Sequence, residues 1–187
     1  MTAPFFDQVV LLTGASSGIG EQIAYQLAEQ GARLMLTARR ADRLAAVAQV
    51  CQSRGAQTTF LALDLTDPAA AERLVNETVQ HYGRIDMLLY NAGGGHPGRF
   101  DALPNLESIQ TEIALNYLGL IACVHHALPH LKQTRGRLVA VASFGGLMAL
   151  SGSAGYNAAK HALRGFLNTL RVELRGTGIS VTVIYPG

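Results

Sequence analysis

The sequence predicts an α/β fold with an open, doubly wound parallel sheet, and three observations predict it. Six short apolar runs alternate with five longer segments of helical length along the 187-residue chain. Most of the runs are continuously apolar, as strands buried on both faces of a parallel sheet must be. Where the first run hands over to the first helical segment, "LLTGASSGIGEQIA" (11–24) places Gly14, Gly18 and Gly20 in a G-x-x-x-G-x-G spacing. The expected strand order is 3-2-1-4-5-6.

Taken in order, the expected strands are "VVLLT" (9–13), "RLMLTA" (33–38), "TTFLALD" (58–64), "DMLLYN" (86–91), "RLVAVAS" (137–143) and "ISVTVIY" (179–185). The expected helices are 18–31, 42–54, 68–82, 105–132 and 153–176, and their ends carry physical signals. Asp67-Pro68 reads as an N-cap followed by proline at the first helical position, where a missing N–H costs nothing. Gly31, Gly55, Gly83 and Gly176 each stand where a helix would close in a left-handed residue. No repeat or linker interrupts the alternation, so residues 1–187 read as one domain. A flavodoxin-like order is the rival, but it normally has five strands; the sixth run, the helix lengths and the opening motif favour the dinucleotide-binding Rossmann version.

A chain that is 49% hydrophobic and 15% charged belongs with globular proteins and not with disordered ones. Its net charge of +2 is spread along the sequence and gives no case for nucleic acid or an acidic membrane as partner. No apolar run reaches the length of a membrane span, and the start "MTAPFFDQ" lacks a basic stretch followed by an apolar one. Cys51 and Cys123 stand singly in helical segments and read as buried, reduced thiols, which sets a cytoplasmic expectation. The six histidines show no metal-ligand arrangement, so no metal is expected; His125 and His126 are adjacent on a helix and cannot share a face. His96 in "GGGHPGRF" is a lone loop histidine and is assigned no role.

In such a sheet ligands bind beyond the carboxyl ends of the strands, where the order reverses. The glycine loop lies there, and its backbone N–H groups and the following helix N-terminus offer partial positive charge to a phosphate. Gly14 would make the turn, Gly18 would leave room for the ligand, and Gly20 would let helix pack close to strand. A tight turn that happens to be glycine-rich is the plainer reading of the same letters.

The spacing recurs with other landmarks at set distances. "TGASSGIG" (13–20), "DLTD" (64–67), "NAG" (91–93), "LNYLG" (115–119), Ser143, "YNAAK" (156–160) and "PG" (186–187) together resemble the short-chain dehydrogenase/reductase family, in that family's order and across nearly the whole chain. The resemblance implies a pyrophosphate cradle formed by Gly14, Ser16, Ser17, Gly18, Ile19 and Gly20, with Thr13 supporting it. It also implies an adenine contact from Asp64 and Leu65, and a ribose-side turn at Asn91, Ala92 and Gly93. Asn91 is suited to stabilising the strands, with Ala92 and Gly93 allowing close approach.

Tyr156 and Lys160 stand four apart near a helix start, on one face. A free tyrosine titrates near ~10, and a neighbouring ammonium or an oxidised nicotinamide favours its phenolate, so the spacing makes a tyrosine fit for acid/base work. By resemblance Ser143 holds the substrate oxygen near Tyr156, Lys160 also holds the nicotinamide ribose, and Asn116 holds a water that relays protons from the lysine. An asparagine bonded to backbone is the alternative for Asn116.

The second expected strand ends in "LTARRADRL", without the acidic residue that NAD-selective members of that family place there. Arg39, with Arg40 beside it, suits a 2′-phosphate, so NADP(H) is expected and NAD is the second choice. The expectation is an NADP-dependent oxidoreductase moving hydride between nicotinamide and a small carbonyl or alcohol substrate. A non-catalytic NAD(P)-binding regulator, or an epimerase or dehydratase on the same scaffold, is the alternative. Phe144, Leu147, Met148 and Leu150 are available as apolar pocket walls or as packing residues. By resemblance subunits pair through 105–132 and 153–176 into a dimer or tetramer. The sequence stops on Pro186-Gly187, where that family meets the nicotinamide carboxamide and continues into a substrate-covering helix and a seventh strand. A C-terminally incomplete domain lacking both is therefore expected.

Overall fold

Residues 3–186, the ones that the computed structural model describes, build a six-stranded parallel sheet in the order β3-β2-β1-β4-β5-β6. Along the chain, β1 (Val9–Thr13), α1 (Gly18–Glu29), β2 (Arg33–Ala38), α2 (Ala41–Ser53), β3 (Gln57–Ala62), α3 (Pro68–Tyr82) and β4 (Met87–Tyr90) alternate strictly. After β4 come α4 (Glu107–Ile113), a π-helical turn (Ala114–Leu118), α5 (Gly119–Thr134), β5 (Arg137–Val141), α6 (Ala154–Glu173) and β6 (Ser180–Ile184). The order reverses between β1 and β4, whose register pairs Leu11 with Leu88.

Continuously apolar strands follow from two cores, one on each face. Val10, Leu12, Leu34 and Leu36 face α1 and α2, meeting Leu27 and Leu44. Leu11, Leu88, Tyr90 and Leu138 face α3, α5 and α6, meeting Leu74, Leu120, Leu131, Leu163 and Leu167. All of β1 and β4 is buried, whereas the edge strands β3 and β6 alternate between buried and exposed positions. The α3 boundaries match their signals. The Asp67 carboxylate accepts the Ala69 N–H at 3.0 Å, Pro68 opens the helix, and Gly83 closes it at φ 78°.

Two expectations need correction. The strands at the rim end earlier than their apolar runs, so Asp64, Asn91 and Ser143 lie beyond β3, β4 and β5 and do not close them. Their polar side chains bond locally where the ladder stops: Asp64 to Thr66, Asn91 to the end of β1, and Ser143 to Gly145. The helix expected over 105–132 is divided by the π turn, which contains Asn116. Such a turn inserts a residue into helical register, and the hydroxyl of Tyr90 donates to the Leu115 carbonyl at 2.6 Å within it.

Candidate active site

The first wall of the site is nearly bare backbone. Gly14 turns at φ +67°, and a Cβ there would stand 2.8 Å from Cα of Ala92, so only glycine fits. Gly18 opens α1 at φ +58° with free space above it. Gly20 has another task than its expected one: a Cβ would meet the Gly14 carbonyl and the Asn91 amide, so this glycine packs the helix against the turn and not against the strand. The buried Thr13 hydroxyl accepts the N–H groups of Asn91 and Ala92 at 3.0 and 2.9 Å. The Asn91 side-chain amide donates to the Gly14 carbonyl at 3.1 Å. The two rim loops thus hold each other.

Arg40 donates to the hydroxyls of Ser16 and Ser17 at 3.2 and 2.9 Å. Arg39 is exposed beside it and lines the same cavity. Leu65 lines that cavity, whereas the exposed Asp64 turns its carboxylate to the N–H and hydroxyl of Thr66 at 3.0 and 2.9 Å.

The second wall is made of side chains. Tyr156 stands in the first turn of α6, half-buried, with the Lys160 ammonium 5.5 Å from its ring centre. Lys160 is 2% exposed, and its Nζ donates to the Val141 carbonyl at 3.0 Å. Burial pulls its pKa down to about 8, because the charged form loses solvation. Ser143, just past β5, accepts the Gly145 N–H at 3.1 Å. The backbone of Gly95 packs against the Tyr156 side chain, where a Cβ would stand 3.1 Å from ring carbons.

Asn116 is fully buried and backbone-bonded. Its amide donates to the carbonyls of Gly94 (2.8 Å) and Glu112 (2.9 Å), and its oxygen accepts the Gly94 N–H at 3.2 Å. It clamps the loop that follows β4. Pro186 lines the cavity and its carbonyl accepts the Phe144 N–H at 3.1 Å; Gly187 lies outside the described residues. Phe144, Leu147, Met148 and Leu150 are 40–47% exposed and none lines the main cavity. Leu150 borders a neighbouring hollow together with Phe100 and Asn157.

Both walls enclose one cavity of about 480 Å³, lined by Gly14, Ser16, Ser17, Ile19, Arg39, Asn91, Ala92, Gly93, Ser143, Tyr156 and Lys160 among others. It lies at the switch point of the sheet. The donor set fits a dinucleotide. The open space over Gly18 lies at the N-terminus of α1, where backbone N–H groups face an anion, and arginines flank it. A family model described as short chain dehydrogenase matches residues 8–187.

The chain belongs to the short-chain dehydrogenase family. It is 38% identical over 183 residues to 11-beta-hydroxysteroid dehydrogenase 1A of Arabidopsis thaliana, covering 97% of this chain and 52% of that one. It is 42% identical over 188 residues to dehydrogenase/reductase SDR family member 7 of Mus musculus, covering 97% and 55%. The chain thus spans about half the length of these curated relatives. Among solved structures it resembles an alcohol dehydrogenase from the archaeon Thermococcus sibiricus complexed with 5-hydroxy-NADP. There the TM-score is 0.91 and the identity 30%, over 96% of this chain and 76% of that one. An NADH-dependent reductase, A1-R′, complexed with NAD shares the fold at a TM-score of 0.92 and 24% identity, over 100% and 81%.

Membership in the short-chain dehydrogenase family leaves two supports that sequence patterns do not mark. Tyr90 reads as one more apolar strand residue until its hydroxyl is seen in the π turn. Glu112 reads as a helix-surface charge, yet it is 3% exposed. Its spacing of four from Asn116 was the one available signal. Among the described residues no group of three or more His, Cys, Asp or Glu could hold a metal, and no helix is long and apolar enough to cross a membrane.

Proposed function

We propose that this member of the short-chain dehydrogenase family is an NADP-dependent oxidoreductase acting on a carbonyl or alcohol carbon, with Tyr156 as general acid and base. The observation that carries the reading is that Ser143, Tyr156 and Lys160 line the same cavity that begins at the glycine loop. A bound nicotinamide supplies the hydride. The protein's residues supply orientation and protons: Ser143 holds the substrate oxygen, and Tyr156 gives it a proton in reduction and takes one in oxidation. Below a pH of about 8 Lys160 is an ammonium, and it stands 5.5 Å from the centre of the Tyr156 ring. Asn116 fixes the loop over the tyrosine, a role that its backbone bonds support; the proton relay through a held water is compatible with that placement.

NADP is favoured over NAD by Arg39 and Arg40 at the end of β2, since guanidinium groups suit a phosphate and no carboxylate stands there to repel one. An apolar substrate is favoured by relatives named hydroxysteroid dehydrogenases; Phe144, Leu147, Met148 and Leu150 are exposed nearby in the chain but do not line the main cavity. The two buried, free cysteines accord with a reducing, cytoplasmic setting, and a homodimer or tetramer paired through 105–132 and 153–176 is proposed from the resemblance to the family alone. To test the reading, the protein is given NADPH or NADH with a panel of aldehydes and ketones spanning hydrophobicity. The expected result is NADPH consumed mole for mole with alcohol formed, fastest for apolar carbonyls. Product isomerised or dehydrated with no net cofactor change would overturn it.

A further inference from the structure

One buried carboxylate is not used by that chemistry. Glu112 is the single buried residue of α4, and a position that only needed packing would be filled more cheaply by an apolar side chain. Among the described residues the one basic side chain within 4 Å of it is the imidazole of His96, with Nδ1 3.8 Å from Oε1, and that ring is 67% exposed. The carboxylate instead answers backbone. Its Oε1 accepts the His96 N–H at 2.5 Å, fastening the loop after β4. Its Oε2 lies so near the Gly155 backbone, at the start of α6, that a Cβ there would collide with it. That helix end has unpaired N–H groups, and its N-cap residue, Ser153, makes no side-chain cap bond.

These two contacts meet on one residue. Tyr156 follows Gly155 directly, and its ring is covered by Gly95, which precedes His96. Four residues on, in the π-helical turn, Asn116 donates to the carbonyl of Glu112 and clamps Gly94. We propose that Glu112 is a positioning residue that fastens the loop 94–96 and the first turn of α6 to α4, and so sets where the Tyr156 hydroxyl stands. The inference rests on Tyr156 being the acid/base group, and it adds a part to the machinery that touches neither substrate nor cofactor.

The test compares Glu112→Leu, which keeps the volume and removes the acceptor, with Glu112→Gln, which keeps an oxygen. In Glu112→Leu, kcat falls on the order of 10- to 100-fold, while KM and the NADPH Kd stay within about twofold, as misplacement of a reacting group requires. In Glu112→Gln, kcat stays within about threefold. Unchanged kcat in Glu112→Leu, or a loss shared equally by cofactor affinity and turnover, would overturn the proposal. So would a Gln variant as impaired as the Leu one, because the charge and not the anchoring would then be what matters. Amide exchange in the unliganded wild-type protein decides independently, even if Glu112→Leu fails to fold: His96 must exchange at least about tenfold more slowly than Gly95. Equal rates would refute the anchor. Because exchange needs no substrate, absence of turnover would defeat the reductase reading and leave this measurement standing.

Discussion

The two walls of the cavity are built on opposite plans. The glycine-loop wall presents main chain, with Gly14, Gly18 and Gly20 stripped of side chains so that loops and ligand can approach, and it is held by Thr13 and Asn91. The other wall, catalytic in the proposed function, presents Ser143, Tyr156 and Lys160, with Asn116 and Glu112 buried behind them. Backbone amides can hold a phosphate but cannot titrate near neutral pH; side chains can titrate, yet each needs other residues to keep it in place. One wall is thus suited to binding and the other to proton transfer, and substitutions should separate the two.

The sharpest separation is expected at Tyr156. Tyr156→Phe removes only the titratable oxygen, so turnover should fall about a thousandfold while the NADPH Kd, measured by fluorescence titration, moves less than about twofold. Comparable losses in both would erase the distinction between the walls.

A second effect reads the electrostatics of the catalytic wall without any substrate. Lys160 has a folded-state pKa of about 8, below its ordinary 10.5, so its burial penalty is fully present below pH 8 and is relieved as pH rises towards 10.5. Relative to Lys160→Met, the unliganded wild-type protein should therefore gain about 3 kcal/mol across that window. Denaturant unfolding of both proteins at a series of pH values checks it; a flat difference would mean that the lysine is well solvated. Cys51, Cys123 and Tyr82, pushed up by burial to about 11, 12 and 12, weaken the fold from the upper part of that range onward, starting near 9 for the thiols and 10 for the phenol, and cancel only in the comparison of the two proteins.

The smallest effect belongs to the binding wall. Arg39→Asp should weaken NADPH about tenfold more than NADH, since it would set a repelling charge where the proposed reading has a phosphate partner, and kcat at saturating cofactor should hardly change. Equal losses for both cofactors would assign the 2′-phosphate elsewhere, Arg40 being the neighbour to try.

The same contrast explains what could be read before any coordinates. The strand order, the glycine loop and the pair Tyr156 and Lys160 are local patterns: alternation of runs, a short spacing, two residues one helical turn apart. The glycine-loop wall is therefore legible in the letters, apart from the task of Gly20, whose neighbour is its own turn, and the carboxylate of Asp64, which turns to Thr66. The supports of the catalytic wall are long-range. The Tyr90 hydroxyl reaches a carbonyl 25 residues away, and Glu112 reaches a backbone N–H 16 residues back. Tertiary contacts of that kind leave no period in a sequence. The rim strands were read as too long for a related reason, since an apolar run does not record where Asp64, Asn91 and Ser143 stop extending a ladder and begin bonding sideways.

The lysine buried between Val141 and the tyrosine ring has a consequence for calorimetry. At a pH of about 8 it is half-ionised, so any charged molecule arriving beside it must exchange protons with the surrounding buffer. A ligand that brings net negative charge draws protons in, and one that brings positive charge drives them out. The heat of binding then depends on the ionisation enthalpy of the buffer, and the slope across several buffers counts the protons moved. If the nicotinamide binds beside that ammonium, as proposed, its oxidised and reduced forms would differ there by one positive charge, and this lysine would turn the redox state of the bound molecule into a difference in proton stoichiometry.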